Sequence, residues 1–135
     1  MMHRYHVLIE YLGTNFVGWQ IQPKGKSIQK LIHNKISKTL KEQISLAGSG
    51  RTDSGVHAIE QSAHFDCKKK IQNLDKFIKS INYFMNDIDI SILCVKKKNS
   101  NFHSRFSAKQ RVYKYVILNR LSRPSLEKKR CWHIV

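Results

Sequence analysis

The stretch that decides the fold lies near the N-terminus and reads Tyr5-His6-Val7-Leu8-Ile9-Glu10-Tyr11. Its odd-numbered positions are aromatic or β-branched, and two of the three positions between them are polar. A period of two predicts a β-strand. One face of this strand is therefore expected to lie in the core.

Two later segments have the period of an amphipathic helix. Residues 28–42 follow Ser27, a good N-cap residue, and carry lysines opposite their apolar stripe. A second helix is predicted to begin after Asn73. The two apolar stripes consist of Ile28, Leu31, Ile32, Ile36 and Leu40, and of Leu74, Phe77, Ile78, Ile81 and Met85.

Further strands are predicted at residues 43–47, 61–66, 88–95 and 111–118, and residues 96–101 are expected to end the third of them. The elements then follow the order strand, helix, strand, strand, helix, strand, with one more strand at the end. This order indicates an α+β fold. It is a ferredoxin-like βαββαβ unit, an antiparallel sheet with both helices on one face, extended by a further strand. Because this topology serves many functions, it identifies none.

The composition favours a polyanionic partner. The 135 residues include 25 Lys and Arg against 9 Asp and Glu, a formal charge of +16 that is spread along the chain. With 41% hydrophobic residues the chain can bury a core, so extensive disorder is not expected. Nucleic acid and an anionic membrane are the ordinary partners of such a charge, and a merely basic protein is the alternative. A membrane surface is disfavoured because neither helix has a basic face bordered by Trp or Phe.

Cysteine and histidine usage predicts neither disulfides nor a metal site. The chain has three cysteines, an odd number, and they are widely spaced with no CxxC pair, so neither a disulfide framework nor a zinc site is indicated. His57, His64 and Asp66 lie at spacings that match no standard metal site. The N-terminus lacks the apolar region of a signal peptide, and no apolar run approaches the length of a membrane span. We therefore expect a cytoplasmic protein.

The strongest catalytic signal is a glycine-rich segment, which reads Gly48-Ser49-Gly50-Arg51-Thr52-Asp53-Ser54-Gly55-Val56-His57-Ala58. Its three glycines indicate an unusual backbone or a close approach to a ligand. In an extended segment Arg51 and Asp53 point the same way, and an ion pair between them would keep the Asp carboxylate ionised as a nucleophile or base. The alternative is that the two residues only cap a turn. The Walker and GxGxxG patterns of phosphate-binding loops are absent.

Two further segments combine basic and aromatic residues. In residues 111–115, Arg111 shares a strand face with Tyr113 and Tyr115, which suits stacking on an unpaired base and binding its phosphate. The alternative, expected for one of the two tyrosines, is packing in the core. Residues 102–108 form an aromatic and polar loop suited to contacts with a nucleic-acid backbone. A salt-dependent affinity for RNA is expected from three basic clusters, at residues 68–70, 96–98 and 128–130.

Together these motifs resemble the tRNA pseudouridine synthase A (TruA) family. Residues 50–58, followed by Gln61 and by His64 and Phe65, resemble its catalytic signature. Four flanking motifs occur in the family's order, at residues 11–20, 27–29, 102–108 and 111–115. The resemblance implies the first half of the pseudouridine synthase fold. It also implies an enzyme that isomerises uridine to pseudouridine at tRNA positions 38–40, in the anticodon stem-loop, without a cofactor.

The resemblance also assigns roles to individual residues. Asp53 matches the catalytic aspartate, Arg51 the arginine that pairs with it and helps displace the target base, and Tyr113 the tyrosine that stacks on that base. The base must be flipped out, because it has to leave its ribose, rotate and rejoin through carbon. A tRNA partner and a homodimer are implied, with no metal. The expected RNA-binding residues are Arg51, His57, Phe102, His103, Arg105, Arg111 and Tyr113.

Two features depart from the family pattern. Leu12 occupies a position that is normally Asp, which concerns a local turn or an RNA-loop contact more than the chemistry. Family members also have two α/β halves, and this chain stops roughly where the first half ends. Residues 1–135 are therefore expected to be the N-terminal half of a catalytic domain, with the second half absent. The alternative interpretation is a truncated, non-catalytic RNA-binding module.

Overall fold

A computed structural model describes residues 1–135 and confirms the predicted α+β fold. The elements in chain order are β1 (His3–Tyr11), a 3-10 turn (Gly13–Asn15), α1 (Ile28–Leu40), β2 (Ser45–Gly48), β3 (Ala58–Cys67), α2 (Leu74–Phe84), β4 (Ile90–Lys98), β5 (Ile117–Asn119) and β6 (Trp132–Ile134). The first four strands form an antiparallel sheet in the order β2-β3-β1-β4. β1 lies in the centre, with Tyr5 opposite Phe65 of β3 and Val7 opposite Val95 of β4.

The alternation in β1 separates a core face from a polar face. The core face of β1 carries four side chains that are each at most 2% exposed, those of Tyr5, Val7, Ile9 and Tyr11. Both helices contribute to the same core, through Ile28, Ile32 and Ile36 of α1 and Phe77 and Ile81 of α2. Full burial of such a side chain stabilises the fold by about 1.5–3 kcal/mol. The sheet therefore presents one face to the helices and keeps its other, polar face for loops.

Both helices begin where the sequence predicts. The Ser27 hydroxyl accepts the Lys30 amide at 3.2 Å, and the Asn73 side-chain oxygen accepts the Lys76 amide at 3.0 Å. These bonds satisfy amide groups that have no partner inside the first turn of a helix. Neither α1 nor α2 has the length and apolar character needed to cross a lipid bilayer.

Every predicted strand has somewhat different bounds in the structure, and β6 was not predicted; two of the differences are large. β4 continues through Lys96–Lys98, which pair with the beginning of β1, because the neighbouring strand is nine residues long and supplies hydrogen bonds that far. Residues 111–116 are exposed and form no strand, although their side chains alternate. A strand needs a neighbour for its backbone groups. Only Ile117–Asn119 has one, pairing in parallel with Trp132–Ile134 in a separate two-stranded sheet.

Candidate active site

The glycine-rich segment forms the loop between β2 and β3, residues 49–57, here called the Asp53 loop. Ser54 and Gly55 form a turn in which the Val56 amide donates to the Asp53 carbonyl at 3.1 Å. Gly55 has a φ of +82°, a left-handed conformation that favours glycine. The chain therefore turns directly after Asp53, and residues 49–57 contain no strand.

A second loop, which follows β1, packs against the Asp53 loop. The Trp19 amide donates to the Thr52 carbonyl at 3.0 Å, and the Ser54 hydroxyl donates to the Phe16 carbonyl at 3.1 Å. Gly18 approaches so closely that a Cβ atom there would lie 2.6 Å from the Thr52 carbonyl oxygen. The two loops are thus joined through their backbones.

Two strand side chains fix the Asp53 loop to the sheet. The Tyr11 hydroxyl lies 2.7 Å from Thr52 Oγ1, and the Gln61 side-chain amide donates to the Gly50 carbonyl at 2.6 Å. Burial raises the pKa of Tyr11, so its hydroxyl stays protonated at neutral pH. Both residues that adjoin Arg51 in the chain are therefore held by the sheet.

Arg51 and Asp53 are exposed and line the same open cleft, which has a volume of about 380 Å³. The cleft is also lined by Val17, Gln20, Gln22, Thr52 and Ser54. The salt bridges of the molecule are Arg4–Asp66 and Arg130–Glu127, and neither involves this pair. The predicted ion pair between Arg51 and Asp53 is therefore wrong, because both side chains are exposed to water and an ion pair between exposed charges gains little over their hydration.

The cleft can nevertheless perform chemistry. The Asp53 carboxylate is exposed and has no intramolecular ion-pair partner, so it is available as a nucleophile or a base. The Arg51 guanidinium offers several donors to a phosphate or to the edge of a base. No group of three or more His, Cys, Asp or Glu side chains is arranged to hold a metal ion.

His57 connects the Asp53 loop to two distant segments. Its Nδ1 accepts the Gly13 amide at 2.8 Å, so the proton of the neutral ring lies on Nε2, which donates to the Lys129 carbonyl at 2.7 Å. Both ring nitrogens of this predicted RNA-binding residue are therefore occupied within the protein.

Residues 111–115 begin beside the Asp53 loop, at Arg111, and none of them lines the cleft. The Arg111 guanidinium donates to the Ser49 carbonyl at 3.0 Å, which holds the beginning of the segment. Tyr113 is 73% exposed and Tyr115 is 88% exposed, and neither lines the cleft. The expectation that one of these tyrosines packs in the core is wrong, because the segment is not part of the sheet.

The loop after β4 carries the other three predicted RNA-binding residues. Phe102 is half-buried, with its ring 4.9 Å from that of His6. His103 Nδ1 accepts the Arg105 amide at 3.1 Å. Arg105 itself is exposed. Phe102 and His103 therefore shape the loop, whereas Arg105 presents its charge to solvent.

The structure also reveals residues that the sequence patterns did not assign to the site. The sequence places Tyr11 on the core face of β1 and in a flanking motif, and Gln61 in the catalytic signature, but it gives neither a role in the site, yet both hold the Asp53 loop. Gln20 and Gln22 line the cleft. The available signal was their position, because polar residues at strand ends and in a glycine-containing loop often meet a ligand.

Leu12, the departure from the family pattern, precedes the 3-10 turn Gly13–Asn15. It occupies the N-cap position with β-region dihedrals but provides no side-chain hydrogen bond. Its amide donates to the Asp89 carbonyl at 3.0 Å, and its side chain is 37% exposed. The departure therefore concerns a local turn next to β1 and does not alter the lining of the cleft.

Comparison with known families assigns the chain. A family model described as tRNA pseudouridine synthase matches residues 7–107, which include the second half of β1, the Asp53 loop and the loop after β4. The chain belongs to the tRNA pseudouridine synthase family. The resemblance carried by residues 50–58 and their flanking motifs is thereby confirmed.

Two curated relatives share a name. The tRNA pseudouridine synthase A of Pelagibacter ubique (strain HTCC1062) is 72% identical over 134 residues, which are 99% of this chain and 54% of the relative. The tRNA pseudouridine synthase A of Anaplasma marginale (strain Florida) is 40% identical over 134 residues, which are 97% of this chain and 53% of the relative. The chain thus spans about half the length of the curated relatives it matches.

Proposed function

We propose that residues 1–135 form the N-terminal half of the catalytic domain of an enzyme that isomerises uridine to pseudouridine in the anticodon stem-loop of tRNA. The observation that carries this proposal is the Asp53 carboxylate, which is exposed in an open cleft on a loop held by two neighbouring segments. Family membership and the position of Arg51 in the same cleft support it.

Asp53 is proposed as the nucleophile, by one of two routes. In the first, a carboxylate oxygen bonds to ribose C1′ as the bond from C1′ to uracil N1 breaks. The uracil then turns, its C5 bonds to C1′ as the carboxylate leaves, C5 loses its proton and N1 gains one. In the second, a carboxylate oxygen adds to uracil C6 as the C5=C6 electron pair moves toward the C4 carbonyl oxygen. The bond from C1′ to N1 then breaks, the ring turns and C5 bonds to C1′. C5 loses its proton, the carboxylate leaves C6 as the C5=C6 double bond forms again, and N1 gains a proton. Substrate and product contain the same atoms, so neither route consumes a co-reactant.

The target base must leave its stacked position before either route begins, so the proposal includes base flipping. Arg51 is proposed to help displace the base, and Tyr113 to stack on it and to take part in proton transfer. The Tyr113 ring is 73% exposed, and the bond from Arg111 to Ser49 holds its segment beside the Asp53 loop. Both observations support a role for Tyr113 once RNA occupies the site.

The charge of the chain supports an RNA partner. A formal charge of +16 gives a salt-dependent affinity for phosphates, and exposed Arg51, Arg105 and Arg111 are proposed phosphate or base contacts. In line with the resemblance, we propose that the protein acts in the cytoplasm and as a homodimer.

A second candidate function is RNA binding without catalysis. The cleft is open, and Val17 is its one hydrophobic lining residue, so little apolar surface is available to enclose a flipped base. The chain also spans about half of its relatives. Both observations are consistent with a module that binds RNA but needs more surface to complete the site.

The two candidates are separated by incubating the purified chain with a tRNA transcript, quantifying pseudouridine by mass spectrometry and measuring tRNA affinity over a range of salt concentrations. Asp53→Asn is expected to abolish product and to leave tRNA affinity nearly unchanged. The matched control is Asp75→Asn, the same change at an exposed carboxylate in the first turn of α2, which is expected to retain full turnover. Product formation by Asp53→Asn contradicts the nucleophile assignment, and salt-dependent binding without product from the unchanged chain favours the second candidate.

A further inference from the structure

The polar face of the sheet is covered by the loop after β4, residues 99–107. Arg4 of β1 holds the beginning of this loop. Its guanidinium forms a two-bond ion pair with the Asp66 carboxylate, with both distances 2.8 Å, and donates to the carbonyls of Ser100 at 3.0 Å and Phe102 at 2.6 Å. Charge-assisted bonds of this kind are stronger than neutral ones. The loop is therefore fixed to the sheet where it begins.

The middle of the loop is fixed by Ser104, which is 2% exposed. Its amide donates to His64 Nδ1 at 3.1 Å, and its hydroxyl donates to the Ala47 carbonyl at 3.1 Å. Farther along the chain, Arg111 donates to the Ser49 carbonyl. Residues 105–110 therefore lie between two anchors, Ser104 and Arg111. Each anchor donates a hydrogen bond to a carbonyl group of residues 47–49, at the end of β2 and the beginning of the Asp53 loop.

Phe106 lies between the two anchors and is 78% exposed. His103 holds it, because Nδ1 of His103 accepts the Phe106 amide at 3.2 Å and the two rings stack with their centroids 4.2 Å apart. The Arg105 guanidinium carbon lies 5.9 Å from the centre of the Phe106 ring. The ring is thus held in place, open to solvent and accompanied by a cation.

We propose that Phe106 is a stacking site for an unpaired RNA base and that Arg105 binds a phosphate beside that base. The inference rests on the proposed function, since it takes RNA as the substrate. Aromatic rings stack on bases of any sequence, and arginine adds charge for the backbone. A single apolar side chain on a surface is ordinary. Here the anchored loop, the histidine stack and the neighbouring cation distinguish Phe106, and a preorganised ring has little freedom to lose on binding.

The test compares two RNAs by fluorescence anisotropy, a tRNA anticodon stem-loop and a blunt duplex without unpaired bases. Phe106→Ala is expected to weaken stem-loop binding by about 5- to 100-fold, the range for one base–aromatic stack. Duplex binding is expected to stay unchanged. Phe106→Tyr keeps the ring and is expected to bind like the unchanged chain, whereas Phe106→Leu keeps only apolar surface and is expected to lose affinity. The matched control is Tyr83→Ala, which removes a ring that is 70% exposed on α2, across the sheet.

Each contrary result has a distinct meaning. Unchanged stem-loop affinity in Phe106→Ala, or full rescue by Phe106→Leu, overturns the stacking site alone. A lower sedimentation coefficient with unchanged RNA affinity instead places the ring in a contact with a second copy of the chain. A lower melting temperature with unchanged affinity assigns it a structural role. Failure of the unchanged chain to bind any RNA overturns the proposed function, and this inference with it.

Discussion

The Tyr11 hydroxyl lies 2.7 Å from Thr52 Oγ1, which joins the end of the central strand to the residue that precedes Asp53. Tyr11 is 2% exposed, so this bond connects the hydrophobic core to the cleft. We therefore expect Tyr11 to help position the proposed nucleophile.

Tyr11→Phe removes the hydroxyl and leaves the ring. We expect kcat for pseudouridine formation to fall about 3- to 10-fold with KM little changed, the effect of one neutral hydrogen bond of about 0.5–1.5 kcal/mol. Tyr5→Phe is the matched control, because the Tyr5 hydroxyl accepts the Ile71 amide at 2.9 Å in a different part of the core. Both variants are expected to lose similar stability, and an equal fall of kcat in both contradicts a positioning role for Tyr11.

Gly18→Ala tests the contact between the two loops. The added Cβ atom would meet the Thr52 carbonyl oxygen at 2.6 Å, and Gly18 has a φ of +102°. We expect the free energy of unfolding in urea to fall by about 2–4 kcal/mol, from overpacking and backbone strain together. Gly50→Ala, whose Cβ atom would meet its nearest neighbour, Arg111 Nε, at 3.6 Å, is expected to change it by less than about 1 kcal/mol. Equal losses in the two variants contradict the close approach at Gly18.

His64 predicts a pH dependence of stability. Burial, together with the nearby charge of Arg4, lowers the pKa of His64 from 6.5 to about 4. The unfolded chain therefore takes up a proton between pH 6.5 and 4 that the folded chain does not, and stability falls as the pH falls through this window. The loss is at most about 3 kcal/mol, since one pKa unit is worth about 1.4 kcal/mol.

Urea unfolding at several pH values measures this loss. His64→Asn keeps an acceptor for the Ser104 amide without an imidazole and is expected to remove most of the pH dependence in this window. Burial also lowers the pKa of His6, which accounts for a smaller dependence that remains. Asp66 contributes only at lower pH, because the Arg4 guanidinium lowers the pKa of its carboxyl below 3.8. If the free energy of unfolding of His64→Asn depends on pH as that of the unchanged chain does, the pH dependence does not come from His64.

Leu12→Asp restores a capping residue to the 3-10 turn that follows β1. Leu12 has N-cap dihedrals and provides no side-chain bond, so a carboxylate there is expected to accept an amide of the turn and to raise the free energy of unfolding by about 0.5–1 kcal/mol. Leu12→Ala shortens the side chain without adding an acceptor and is the control. The melting temperatures of the unchanged chain, Leu12→Asp and Leu12→Ala test this prediction. Equal melting temperatures for Leu12→Asp and Leu12→Ala exclude capping by the carboxylate.

The sheet and both helices could be predicted because their signals are local. The alternation from Tyr5 to Tyr11 and the caps at Ser27 and Asn73 each depend on neighbouring residues, and the structure has them as expected. The strand predicted at residues 111–118 failed for the opposite reason. Its side chains have the right period, but pairing depends on a distant segment, and only its last residues find one, in β6.

The candidate site shows the same division. The glycine-rich segment located Arg51 and Asp53, and both line one cleft. Their mutual geometry was not predictable, because residues 49–57 form a loop, in which no strand alternation fixes the directions of the two side chains. The hydrogen bond from Tyr11 to Thr52 joins residues 41 positions apart, and the bond from Gln61 to Gly50 joins residues 11 positions apart. No local sequence pattern predicts such bonds.

The two bonds of His57 have a consequence for how the chain folds. They join the Asp53 loop to Gly13, 44 positions earlier, and to Lys129, 72 positions later. Contacts between residues so far apart in sequence form slowly, because closing long loops costs entropy before any contact is gained. The bond between His57 and Lys129 therefore completes the support of the Asp53 loop only after Lys129 has been synthesised.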